Sequence, residues 1–185
     1  DKRVWWPKIR PFNEYLARIS FILQEADFHA DVLHYYGDKV PNFVYPKNTQ
    51  YKVGDGYDYE VINTEILLQD LTVKDGRLAL PGGATFSVLS LEHEPEINPE
   101  VLKKLRNLLT AGAVVIGEKP RLIQQHAQRR PGQDNAAIID ELWIKSAGPV
   151  QGKIVSGMTA LGMLSALNVG PDFRYADLES SLIDY

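Results

Sequence analysis

Residues 85–118, TFSVLSLEHEPEINPEVLKKLRNLLTAGAVVIGE, constrain the fold more than any other stretch. Phe86, Val88, Leu89 and Leu91 form a short apolar, partly β-branched run. Asn98 and Pro99 then open a helix: Asn is a good N-cap, and Pro at the first helical position gives up an N–H that has no partner there anyway. Val101, Leu102, Leu105, Leu108 and Leu109 recur at helical spacing, so one face is buried. Gly112 supplies a left-handed stop, and Ala113, Val114, Val115 and Ile116 follow without polar alternation, the pattern of a strand covered on both faces. Strand, crossover helix and strand make a βαβ unit with a parallel pair.

Other segments fit around this unit. Phe12, Tyr15, Leu16, Ile19, Ile22, Leu23 and Ala26 follow the i, i+3, i+4, i+7 template and predict an amphipathic helix over 11–26, with Asn13, Glu14, Arg18 and Gln24 on the other side. DVLHYY at 31–36 reads as a strand closed by Gly37. Asp58 reads as the N-cap of a helix through Val61, Ile62, Ile66 and Gln69. Leu71 to Val73 and Arg77 to Leu80 flank Asp75-Gly76, a hairpin turn. A short helix is expected over 136–143, a strand over 153–156, and a helix through Leu161, Met163, Leu164 and Leu167. Four main strands alternate with helices, plus a β-hairpin insertion. The expected fold is therefore a three-layer, doubly wound α/β domain with a mainly parallel sheet, of flavodoxin or class I glutamine amidotransferase type.

The chemistry the sequence excludes is wide. A chain of 185 residues without cysteine has no disulfide, thiolate metal site or Cys nucleophile. The net charge of −4 gives no bulk attraction for nucleic acid or an anionic membrane, and no apolar run is long enough to span a bilayer. Gly54-Asp55-Gly56-Tyr57-Asp58-Tyr59 begins like a dinucleotide fingerprint but lacks its third Gly and its preceding strand. Gly148 to Ile154 is one residue short of a P-loop and has Ile in place of the Mg²⁺-binding hydroxyl. The turn where this architecture places a nucleophile reads Gly117-Glu118-Lys119-Pro120, without Ser or Cys. His29 and His34 are spaced poorly for a shared metal, so no metal-ligand set is nominated. His126, Arg129 and Arg130 form a basic cluster between Glu118 and Asp134 that reads as a solvated loop.

Two places remain as candidate sites. The long irregular segment 38–56 follows the carboxyl end of a strand, where open α/β sheets bind ligands; with its flanks it nominates Tyr36, Asp55, Tyr57 and Asp58. Glu92-His93-Glu94 sits at the exit of a core strand, where two carboxylates beside an imidazole suit acid–base work as well as a plain solvated strand end. Trp5 and Trp6 need a surface. Three fit: the domain's own edge, a neighbouring domain, or a sugar ring stacked on an aromatic face.

Several stretches carry a resemblance. WW at 5–6, YLARISFILQEADFHADVLHYYGDKVPN at 15–42, GYDYEVINTEILLQDLTVKDGRLALPGGATFSVLSL at 56–91 and PEVLKKLRNLLTAGAVVIGEKP at 99–120 resemble the α-L-rhamnosidases of glycoside hydrolase family 106. Pro171-Asp172-Phe173 and Asp184-Tyr185 are similar to the family's exit from this region. Glu25-Ala26-Asp27 departs from it, since a Gly is commoner there. The resemblance implies a part of a multidomain enzyme: the amidotransferase-like domain that follows a catalytic (β/α) barrel, similar to the trimerisation domain of family 42 β-galactosidases. It implies 1–10 as a linker from an upstream domain, 11–176 as the α/β domain and 177–185 as an exit segment, in keeping with an opening, DKRVWWPKIRPF, that has neither Met nor signal peptide. It further implies secretion or export to the periplasm, barrel and β-sandwich domains of the same chain as partners, carbohydrate as ligand, no cofactor in this stretch and a calcium ion in the parent. No barrel motif occurs here, so no catalytic residue is carried over. Alternatives are an oligomerisation domain and a standalone carbohydrate-binding or small-molecule enzyme domain using Glu92-His93-Glu94.

Overall fold

A computed structural model describes residues 3–38, 43–91, 96–123 and 135–174. Six strands form one parallel sheet: β1 (Val32–Tyr35), β2 (Tyr59–Ile62), β6 (Val88–Leu91), β8 (Val115–Ile116), β10 (Trp143–Lys145) and β11 (Ile154–Ser156), in the order β10-β11-β8-β6-β1-β2. Every pairing within it is parallel, with Val32 opposite Tyr59 on one side and Val88 on the other. Counted within this sheet alone, the order is 2-1-3-4-6-5, whose first four members follow the flavodoxin arrangement. The reversal of direction across the sheet falls between β1 and β6.

Alternating side chains divide the interior into two cores. On one side α2 (Thr64–Gln69), α3 (Pro99–Thr110) and α4 (Asn135–Leu142) pack on Leu33, Leu89, Val115 and Ile154. On the other, α5 (Ala160–Ala166) and residues around Val53 cover Val32, Val88, Ile116 and Val155. The predicted βαβ unit is β6–α3–β8. Asn98 caps α3 by accepting from the Glu100 N–H at 2.9 Å, and all five periodic apolar residues of the helix are buried. The hairpin is β3 (Thr72–Lys74) with β4 (Arg77–Ala79), antiparallel, joined by β5 (Thr85–Phe86) as a third strand. A small parallel pair joins β7 (Glu96–Ile97) to β9 (Leu122–Ile123).

Two expectations need correction, and one predicted helix leaves its apolar face uncovered. The helix expected from Asp58 is a strand in its first half: Tyr59, Val61 and Ile62 are strand formers and join β1. The capping position is Asn63, which accepts from Ile66 N at 2.9 Å, whereas Asp58 accepts from Tyr59 N. Trp143 begins β10 rather than ending a helix, and with β2 this gives the sheet six parallel strands where four were expected. Finally, α1 (Arg10–Gln24) has the predicted amphipathic pattern but no buried residue: Phe12, Tyr15, Leu16, Ile19, Ile22 and Leu23 all stay exposed.

Candidate functional site

The reversal between β1 and β6 opens a crevice at the carboxyl ends of the strands, the place where such sheets bind ligands. Its space is about 400 Å³, open to solvent. The floor is apolar, built from Tyr35, Leu91, Val101 and Trp143, with Asp38, Glu96 and Glu118 at the polar rim. Two of these acids are held by structural donors. Asp38 accepts from the Thr64 hydroxyl and from Asn98 Nδ2 at 3.4 Å, so it ties the end of β1 to the starts of α2 and α3. Glu118 accepts from Gly157 N at 2.9 Å. The turn after β8 is equally occupied. Trp143 Nε1 and Ser156 Oγ both donate to the Gly117 carbonyl, at 3.1 and 3.2 Å, and Lys119 pairs with Asp140 at 2.6 Å. A Cβ on Gly117 would stand 2.7 Å from Leu91 Cβ, so glycine is required for β8 to leave the sheet beside β6. The crevice thus offers an apolar floor and a rim of three acids, of which Asp38 and Glu118 are held by structural donors.

The sequence candidates do not converge. Tyr36 lies just past the carboxyl end of β1, half-buried, its N–H donating to Ile62 O at 3.4 Å. Asp55, Tyr57 and Asp58 precede β2, which runs parallel to β1, so they stand at the opposite end of the sheet. Asp55 is exposed. Tyr57 donates its hydroxyl to Val169 O at 3.0 Å. Asp58 is ion-paired with Lys47 at 2.7 Å. Glu92, His93 and Glu94 lie outside the described residues, as does the His126, Arg129 and Arg130 cluster. Trp5 and Trp6 are each about half exposed (48%), tilted against one another at 6.2 Å.

Two buried ionisable groups escaped the sequence reading. Asp31 is only 2% exposed at the entry to β1; burial first, then the neighbouring Asp172 carboxylate, raise its pKa to about 6. His34 lies in β1 with one ring stacked on it, Tyr51 at 4.3 Å, and a second, Tyr59, edge-on at 5.3 Å. Burial lowers its pKa to about 4, so the imidazole is neutral. The available signal was a polar residue on the inward phase of an otherwise apolar strand.

These observations define a parallel α/β domain of the ligand-crevice type, with two of the three crevice acids held by neighbouring donors. Comparison with known proteins narrows the class. The family model of glycoside hydrolase family 106, alpha-L-rhamnosidase, matches residues 1–185, and the chain belongs to that family. The solved rhamnosidase from Novosphingobium sp. PP1Y is similar with a TM-score of 0.76 and 26% identity, over 95% of this chain and 17% of that one. A protein of Formosa agariphila named "Putative beta-glucuronidase" is 32% identical over 184 residues, 98% of this chain and 15% of its own. The chain therefore spans about one-sixth of the length of the relatives it matches.

Proposed function

We propose that this chain is a non-catalytic, amidotransferase-like module of an α-L-rhamnosidase-type glycoside hydrolase that packs on the catalytic barrel of the same polypeptide and helps shape its substrate cleft. The observation that carries this reading is the uncovered apolar surface of α1 and the Trp5–Trp6 pair, an amphipathic stripe with no core of its own to meet. The 15% and 17% shares of the relatives' lengths leave ample chain to cover it. The barrel supplies the pair of carboxylates that glycoside hydrolysis needs, together with the calcium ion that the resemblance implies. Export and the breakdown of plant or algal polysaccharide belong to the same proposal.

Assays of the 185-residue chain and of its full-length parent on an aryl α-L-rhamnoside test it. The chain alone is expected to be inactive. Glu118→Gln in the parent is expected to hold kcat within about threefold, where loss of an acid–base carboxylate costs about 10²–10⁴-fold. Turnover by the isolated chain overturns the proposal. The exposed α1 face also fits a second reading, oligomerisation in the manner of the β-galactosidase trimerisation domain; light scattering that finds only monomers of the parent removes it.

A further inference from the structure

At the amino end of the sheet, away from the crevice, three metal-ligating side chains from two distant parts of the sequence meet. His29, Asp31 and Asp172 place one donor atom each within 4.8 Å of one another. His29 Nε2 and Asp172 Oδ2 are 3.2 Å apart. Asp31 is 2% exposed, and its Oδ2 has no hydrogen-bond partner among the described residues. The group facing it is a second carboxylate, which when ionised has no hydrogen to give. Arg77 is near, but its Nε, Nη1 and Nη2 donate to Thr85 Oγ1, Ser87 Oγ and Thr85 O. A buried carboxylate oxygen facing a second carboxylate needs a counter-charge, which either a proton shared between the two carboxyls or a bound cation supplies.

We propose that His29, Asp31 and Asp172 form a binding site for a divalent cation of the zinc and manganese class, which fastens the segment around Asp172 to the entry of β1. The donor chemistry chooses the class. One imidazole with two carboxylates suits Zn²⁺ and Mn²⁺, whereas calcium takes six to eight oxygens. Bonds of about 2.0–2.2 Å to a tetrahedral ion set neighbouring donors about 3.3–3.5 Å apart. The His29–Asp172 pair, at 3.2 Å, is already close to that spacing, and side-chain adjustments of up to about 1.4 Å bring the remaining separations, at most 4.8 Å, into range. His29 and Asp172 keep 60% and 47% of their side-chain surface exposed, so water has access to the remaining coordination positions.

The backbone around the site is fixed before any ion arrives. Asp31 N donates to Asp58 O at 3.1 Å, and Asp31 O accepts from Ser87 N at 2.8 Å, so the residue is clamped between β2 and β6. Asp172 N donates to Gly56 O at 2.9 Å and Phe173 N to the same carbonyl at 3.3 Å. Gly56 has φ +79°, and a Cβ on it would stand 2.1 Å from Phe173 O. Only glycine lets the two segments approach this closely. The site does not depend on the proposed function, because it joins residues of this chain alone.

Zn²⁺ titration of the metal-stripped, untagged chain, read by competition with a chromophoric chelator and by thermal melting, tests the assignment. The expected result is one ion per chain and a higher Tm with Zn²⁺. His29→Ala, at an exposed position that does not endanger folding, is expected to weaken binding at least about tenfold, as is Asp172→Asn. Asp31→Asn is expected to weaken it about 100-fold or more. Absence of one-to-one binding, binding untouched by His29→Ala, or Ca²⁺ binding as tightly as Zn²⁺ overturns the proposal. In the first case the two carboxyls share a proton instead.

Discussion

His34 shows how one inward polar side chain makes stability depend on pH. Its ring is 7% exposed between Tyr51 and Tyr59, and Nε2 has no hydrogen-bond partner among the described residues. The folded pKa of about 4 lies below the ordinary 6.5. Above pH 6.5 the residue is neutral in both states and has no effect. As pH falls from 6.5 toward 4 the unfolded chain takes up a proton that the folded chain refuses, so stability is lost. At about 1.4 kcal/mol per pH unit the full loss approaches roughly 3 kcal/mol. His34→Phe keeps the aromatic packing and removes the proton. Between pH 7 and pH 5 the parent sequence is expected to lose about 2 kcal/mol more than this variant, in urea melts run with chelator so that bound metal does not contribute. Equal losses would mean that the imidazole is protonated in the folded chain. Gly117 gives a second test at this scale. With its missing Cβ 2.7 Å from Leu91 Cβ, Gly117→Ala is expected to cost about 1–3 kcal/mol, measured by the same melts.

At the level of elements, α3 displays why some of the fold was legible. Asn98, Pro99, five apolar residues at helical spacing and Gly112 all act locally, and each is found where it was expected. Asn98→Ala is expected to destabilise the chain by about 1 kcal/mol, from the lost N-cap. It also removes the Asn98 Nδ2 to Asp38 bond at the crevice, so the variant is expected to show altered amide shifts at Gly37 and Asp38 by NMR. The strand β2 was not legible, because Asp58 followed by Glu60 and two β-branched residues suits a helix start as well as a strand. What decides is the open edge of β1, reached only in three dimensions. Likewise β10 is three residues long and follows a helix without a break, too short for any period to register. The crevice position followed from topology, since the strand after residue 31 and the strand after residue 86 are neighbours. Its contents did not follow: Tyr36 went to one end of the sheet and Asp55, Tyr57 and Asp58 to the other, because β2 is parallel to β1. The His29, Asp31 and Asp172 cluster joins positions more than 140 apart in sequence, which no local pattern can reveal.

On the scale of the whole molecule, the α1 face decides between a self-contained domain and a part of something larger. The α3 helix, with five buried apolar residues, stabilises this chain by the ordinary 1.5–3 kcal/mol per large side chain taken from water. The α1 helix has a comparable stripe but takes only part of that energy from this chain, since even Leu16 and Ile19, its least exposed large apolar residues, keep 44% and 38% of their surface in water. Substitutions there should therefore behave differently in two settings. In the 185-residue chain, Leu16→Glu with Ile19→Glu is expected to change stability by no more than about 0.5 kcal/mol, as surface substitutions do. In the full-length parent the same pair is expected to remove about 3–6 kcal/mol of docking energy, enough to split one calorimetric transition into two as this module melts apart from its neighbours. A parent that melts identically with and without the pair would show that the stripe meets solvent there too, and the packing role would fall. If the pair leaves the melting of each subunit intact but converts an oligomer to monomers, the stripe faces a second copy of the protein rather than another part of the same polypeptide.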